Sequence, residues 1–461
     1  MAKQSTWRRA AALWRDPVTA EKRRLLAERW QDLDPALRLP AQGLGQKATG
    51  CGATIGIQPR CDFACTGCYL GNEANDTPAL PTGAILEQID RLRAHLGPKS
   101  NVQITDGEVT LRPVEELIEI LRHTRSVGGI PMIMTHGDNL RRREGLLERL
   151  MTEGGLTEVS IHIDITQRGR DGHKAPTSER ELMGLREDFA ERIRAARKAT
   201  GRPLRAAMTL TVTRQNLGQI ADVVRWTIAN NDAFGLISFQ PLAPVGRTRK
   251  NLSGVTPDEL WGEIDRATAE HGAPPTGAGA FHFGHPACTR FAPFLTFQRP
   301  GEPARLFPMI RETPEDQAIV AGFFARGLGG VAFRDDRPLE AVGRAAGILR
   351  TAPGWFLGTV RRWAAERLRE EAGTTPARLA ADLLRGKVRA GGLTLTSHHF
   401  MGPAELATDL GRERLAACVF RLPVGDRLVG MCEMNAAGVR EEFYAGIGRS
   451  LLPVLSAELA S

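Results

Sequence analysis

No stretch of this 461-residue chain is apolar over enough residues to span a bilayer. The amino-terminal segment MAKQSTWRRAAALWRDPVTAEKRR is basic, and Arg15 and Asp16 cut its apolar run, so it lacks the hydrophobic core of a secretory signal. The Arg8–Arg9 pair has no such core behind it, which argues against twin-arginine export. Cysteine is scarce: seven residues in this length do not make the disulfide framework of a small secreted domain. The net charge of +8 comes without a compact polybasic tract, because the arginines are spread beside glutamates on helical faces. Nucleic acid is therefore not the expected partner. Internal repeats and long low-complexity tracts are missing too. These absences lead to the expectation of a cytoplasmic protein whose clustered cysteines bind metal.

What is present suits a globular chain, with 42% apolar and 25% charged residues. The length allows more than one folded unit. Residues 1–48 read as a helical extension carrying Trp7, Trp14 and Trp30. From a strand at Ala53 to Gln58, strand-like and helix-like segments alternate. Further strands are expected at 102–105, 131–135, 158–163, 205–212 and 236–240, with helices at 83–96, 141–153, 178–199 and 217–230. Six strand–helix units in a row predict parallel strands joined by right-handed crossovers. The expected class is α/β, a partial (β/α)6 TIM-like barrel over residues 49–247. A connector and helical region (248–387) and a C-terminal α+β module (388–461) follow. In such barrels the loops after the strands build the active site.

Directly after the first strand, IGIQPRCDFACTGCYLGN places Cys61, Cys65 and Cys68 at a C-x3-C-x2-C spacing. A loop of this length can wrap three thiolates around three corners of an iron–sulfur cubane, leaving one iron without a protein ligand. A structural zinc site would need a fourth Cys or His nearby, and the loop holds none. On these residues the chain resembles the radical S-adenosylmethionine (SAM) superfamily over roughly residues 49–247. The resemblance implies a 4Fe–4S cluster on the three cysteines and SAM bound at the open iron. A reductant such as flavodoxin or ferredoxin would supply the electron that cleaves SAM to a 5′-deoxyadenosyl radical. That radical would take hydrogen from a substrate.

The resemblance also implies roles for single residues. Tyr69 stands where the family carries an aromatic near the adenine. TDGEVTLRP is similar to the Gly-Gly-Glu motif, with Asp106 for the first glycine and Gly107 and Glu108 matching. Glu108 would accept a hydrogen bond from the SAM amino group. MTHGDN is similar to the family's Thr-Asn-Gly turn, with His136 in place of Asn. In VSIHID, Ser160, His162 and Asp164 share one strand face, and Ser160 or His162 would reach the ribose or carboxylate. Thr209, Thr211 and Thr213 share a face of the fifth strand, and Gln240 closes the sixth. For each polar strand residue, a satisfied place in the core is the alternative.

Cys51, Cys288, Cys418 and Cys432 remain. ACVFRLPVGDRLVGMCEMN reads as a hairpin turning near Gly425 and Asp426, which sets Cys418 and Cys432 almost opposite each other. With Cys288 of GHPACTRF they are candidates for a second iron–sulfur cluster, its fourth ligand being Cys51, His285 or the substrate. Ordinary half-buried cysteines are the alternative. SHHFM, at 397–401, adds two histidines that could be ligands or proton donors. In PGWFLGTVRRWAAERLRE, Phe356, Val360 and Trp363 lie near one face, with Arg361, Arg362, Arg367 and Arg369 among the others. Such a helix either lies on an anionic membrane surface or packs on the protein's own core. Membrane association would favour an apolar, lipid-like substrate. A peptide or an RNA base is the alternative substrate. An iron–sulfur electron-transfer or scaffold protein is the reading outside enzymology, and it leaves the TDGE turn unused.

Overall fold

Two helices, α1 (Thr6–Arg15) and α2 (Ala20–Asp32), precede the alternating array. The expected strands form as β1 (Gly52–Gln58), β2 (Asn101–Asp106), β3 (Ile130–Thr135), β4 (Glu158–His162), β5 (Arg205–Val212) and β6 (Phe234–Pro241). All are parallel to their neighbours, in chain order. The crossovers are α3 (Thr82–Leu96), α4 (Val114–Ser126), α5 (Asp138–Arg142), α6 (Leu146–Thr152), α7 (Met183–Thr200) and α8 (Ile220–Ala229). The single helix expected at 141–153 is two, because Gly145 turns left-handed at φ 72° and starts a new helix. This computed structural model describes residues 6–50, 52–273, 280–333 and 337–447.

The helices bury one stripe each against the outer face of the sheet. In α3 that stripe is Ile85, Ile89, Leu92 and Leu96, as the spacing predicts. They meet Ile55, Ile57 and Ile104 in one continuous core that runs around to Phe239 and Phe294. Each such side chain contributes about 1.5–3 kcal/mol on burial.

Beyond β6 come α9 (Pro257–Ala269), β7 (Thr289–Gln298), β8 (Arg305–Pro308), α10 (Pro314–Ala325) and α11 (Pro338–Thr351). Then follow β9 (Arg389–His398), β10 (Phe420–Val424) and β11 (Arg427–Gly430). β9 joins β6 in parallel, and β10 joins β1 in parallel. The sheet order is β11-β10-β1-β2-β3-β4-β5-β6-β9-β7-β8. The six-strand expectation therefore gains a parallel strand at each edge, both supplied by the C-terminal module. β10 and β11 make the expected hairpin, with Val424 opposite Arg427 and Gly425 left-handed between them.

The arginine-rich segment packs on the protein itself. The Trp363 indole donates to Asp316 at 2.7 Å, and Phe356 meets Phe323 edge-on. Leu357 on the same segment and Leu384 further on stay exposed. Among the described residues no helix is long and apolar enough to cross a membrane.

Phe294 fastens β7 to the shared core at 1% exposure. Phe294→Ala is expected to lower unfolding free energy by about 3–5 kcal/mol in urea titration. Leu384→Ala, at 90% exposure, is expected to change it by no more than about 0.5 kcal/mol.

Candidate functional site

The chain leaves β1 at Gln58 and enters the cysteine loop, which has little core of its own. Backbone hydrogen bonds from three other loops hold it. Gly107 N–H donates to the Gln58 carbonyl at 2.8 Å, and Glu108 N–H to the Arg60 carbonyl at 2.9 Å. From the other side, Ala64 N–H donates to Arg168 O at 3.0 Å and Thr66 N–H to Thr166 O at 2.8 Å. Arg247 N–H reaches Leu70 O and Arg249 N–H reaches Thr66 O, both at 2.9 Å. Two glycines permit this. A Cβ on Gly107 would stand 2.2 Å from Pro59 O, and one on Gly246, at φ 56°, 2.3 Å from Tyr69 O.

Cys61, Cys65 and Cys68 are free, half-buried, and line one cavity of about 1440 Å³. Burial, and after it the Cys68 sulfur, pushes the Cys65 thiol up to about 12. Burial raises Cys61 in the same way. Thiolates in such a place need a compensating cation, and three soft sulfur donors with no fourth in the loop suit an iron–sulfur cluster with one open iron. The donor set fits. Cys61, Asp62 and His136 also bring ligand atoms within 4.8 Å of one another, with the His136 ring stacked on Phe63 at 3.7 Å.

Glu108 is fully buried, and its carboxylate is already well bonded. Oε1 accepts from Thr110 N–H at 3.0 Å, Thr110 Oγ1 at 2.5 Å and Thr135 Oγ1 at 2.6 Å, and Oε2 from His136 N–H at 2.9 Å. It ties the turn after β2 to the end of β3. Asp106 and Gly107, rather than Glu108, form the cavity wall there.

Asp106 carries φ 125°, a region that favours glycine, and a buried network holds it. Its carboxylate accepts from Arg440 Nη1 at 2.8 Å and Tyr444 Oη at 2.6 Å. Its carbonyl accepts from Tyr69 Oη at 2.7 Å. The Arg440 guanidinium lies over the Tyr69 ring at 5.0 Å. Burial pushes the Asp106 carboxyl up, and Arg440 pulls against it. Arg440 and Tyr444 escaped the sequence reading because nothing local links position 440 to position 106.

The remaining expected residues converge on the same cavity. Ser160, His162, Thr209, Thr211 and Gln240 line it. Ser160 and Thr209 share a 2.8 Å hydrogen bond, while His162 Nε2 meets Asp164 Oδ2 at 2.5 Å and Thr211 Oγ1 at 3.2 Å. Burial works against the Asp164 carboxylate, but His162, Thr166 and the Thr211 amide outweigh it and lower its pKa. Thr213 is instead absorbed by Asn216. Arg247 also lines the cavity, with a buried Nε that has no hydrogen-bond partner. The sequence offered no signal for it beyond its place after β6.

The other cysteines form a second group outside that cavity. Cys288 Sγ accepts from Arg414 Nε at 3.4 Å, Cys432 Sγ from Met401 N–H at 3.4 Å, and Cys418 donates to Phe420 O at 3.2 Å. Burial raises all three thiols, Cys432 to about 12, and Cys418 and Cys288 raise Cys432 further. His285 turns to Glu413 at 3.2 Å. His398 packs edge-on to Phe420 and burial lowers it to about 4, while His399 bonds Ser397 at 3.2 Å. Cys51 lies outside the described residues.

The profile of the Radical SAM superfamily matches residues 55–227. GTP 3′,8-cyclase 2 of Pseudomonas aeruginosa is 27% identical over 219 residues, 46% of this chain and 61% of the cyclase. The chain thus spans about three fifths of that relative. Among solved structures, Streptococcus suis SuiB bound to S-adenosylmethionine is similar at a TM-score of 0.36 and 16% identity, over 48% of this chain and 47% of SuiB. Native anSMEcpe with bound AdoMet and Cp18Cys peptide is similar at 0.34 and 12% identity, over 48% of this chain and 60% of its own.

Tyr69 and Tyr444 are the two tyrosines of the chain. With fluorotyrosine incorporated, Arg440→Met is expected to shift both fluorine resonances. A shift confined to Tyr444 would show that Arg440 does not act on the cysteine loop.

Proposed function

We propose, from the match of residues 55–227 to the radical SAM superfamily profile, that this enzyme takes hydrogen from an apolar, lipid-like substrate inside its barrel. The observation that carries this reading is one cavity walled by three cysteines at one end and by Met132, Met134, Phe400 and Phe420 further in. Cys61, Cys65 and Cys68 would hold the 4Fe–4S cluster, which with SAM supplies one electron and the means to abstract hydrogen from a C–H bond.

The chain's own residues bind, orient and exclude water. The loops after β2, β4 and β6 fix the cysteine loop through backbone bonds, so the sulfur donors are placed before any ligand arrives. Arg247 offers an unused Nε to a ligand carboxylate, a charge-assisted partner. Ser160, His162 and Thr211 offer polar edges to a ribose, and Asp164 fixes the His162 ring. Tyr69 and Gly107 shape the wall for an adenine, and Glu108, behind that wall, holds the turn after β2 in place. A one-electron donor such as flavodoxin or ferredoxin is the required partner.

We infer further that Cys288, Cys418 and Cys432 hold a second iron–sulfur cluster. One buried and two half-buried cysteines near enough for Cys418 to raise the Cys288 and Cys432 thiols, beside the Arg414 cation, support it.

After anaerobic reconstitution with dithionite and SAM, wild type is expected to release 5′-deoxyadenosine and Cys65→Ala none. Equal release by the variant, or none by wild type holding iron and sulfide, overturns the radical reading. The Cys418→Ala/Cys432→Ala variant is expected to hold about half the wild-type iron. An unchanged iron content removes the second cluster.

A further inference from the structure

The cavity does not end inside the barrel. Both Thr211, beside the cysteines, and Arg205, at the opposite end of β5, line it, so it runs along about 20 Å of strand. It reaches the surface again at the amino-terminal ends of the strands. The wall there includes Leu295, Met309 and Phe333, which are 38%, 45% and 48% exposed. Large apolar side chains left open at the rim of a cavity mark a place where an apolar group passes.

Two lysines stand at the same mouth. Lys47 Nζ donates to the Val331 carbonyl at 2.7 Å, two residues from Phe333. Lys22 Nζ donates to Thr49 Oγ1 at 3.2 Å and the Leu96 carbonyl at 3.3 Å. Both lysines line the cavity, and among the described residues their three acceptors are neutral. Glu21, the acid next to Lys22 in the chain, is held by Arg93 at 2.8 Å. Glu340 also lines this mouth and faces Arg9 at 3.8 Å. Burial, with the Lys47 and Arg93 charges, brings Lys22 down to about 8. Lys22 is half-buried and Lys47 exposed at the rim, and two neighbouring ammonium groups with neutral partners among the described residues attract an anion between them.

We propose that this second mouth binds a long-chain amphiphile, its anionic head on Lys22 and Lys47 and its apolar chain passing Phe333 into the barrel. As the substrate's site this rests on the radical reading above, because it sets the chain's inner end toward the cysteines; as a binding site it stands apart from that chemistry. The sequence could not show it, since positions 22, 47, 309 and 333 meet only in the fold.

Isothermal titration of the full chain with tetradecyl phosphate below its micelle concentration, without SAM or reductant, tests it. One molecule per chain is expected, with Kd raised about tenfold in Lys22→Met/Lys47→Met, the equivalent of 1.4 kcal/mol. Tetradecanol and inorganic phosphate are expected to bind at least as much more weakly. Equal affinity for tetradecanol would remove the head-group site, and equal affinity for inorganic phosphate would remove the chain's path. Should the double variant prove unfolded by circular dichroism, Phe333→Glu decides: a raised Kd upholds the proposal and an unchanged one overturns it. Wild-type SAM cleavage is assayed separately, so binding without cleavage would sink the radical reading and leave this site standing.

Discussion

The architecture of the site depends on how closely backbone approaches backbone around the cysteine loop. Residues 59–69 touch the turn after β2 and the loop after β6 at separations that leave no room for a Cβ on Gly107 or Gly246. The loop therefore borrows rigidity from strands that are themselves locked in the parallel sheet. Three sulfur atoms on a freely moving segment would meet a large ordering cost on binding metal. Held by six backbone hydrogen bonds to neighbouring loops, they meet much less of it.

Around that weld the buried acids divide the work. Glu108 joins the ends of β2 and β3, Asp164 aims His162, and Asp106 reaches out to the C-terminal segment through Arg440 and Tyr444. None of these carboxylates is left without donors, as burial requires. The strained backbone at Asp106 gains the Arg440 and Tyr444 contacts, which a glycine in that position could not make. The C-terminal module is thus tied both to the sheet edges and to the wall beside the cysteine loop.

Much of this was legible in the sequence, for reasons that can be named. Apolar spacing in 83–96 and the β-rich runs before each loop gave the alternating array, because local periodicity reports burial directly. The cysteine spacing and the 418–432 hairpin were local as well. The two flanking parallel strands were not, since β9 and β10 pair with strands made more than 150 residues earlier, and sequence pattern carries no record of partner. Arg440, Tyr444 and Arg247 were hidden by the same rule. His285 stood in the reading as a candidate ligand, but it turns to Glu413, a neighbour no motif would select.

The placement of β9 and β10 sets an order on the birth of the protein. While the ribosome has released only the first six strands, β1 and β6 each present an unpaired edge, open to misassociation. Those edges are covered once residues 389–424 have emerged, and Asp106 meets its arginine later still. Metal loading that waits for the finished cradle is thereby delayed until residues 389–444 have been made, and a nascent chain stalled in the helical region would expose its thiols without a wall to shield them.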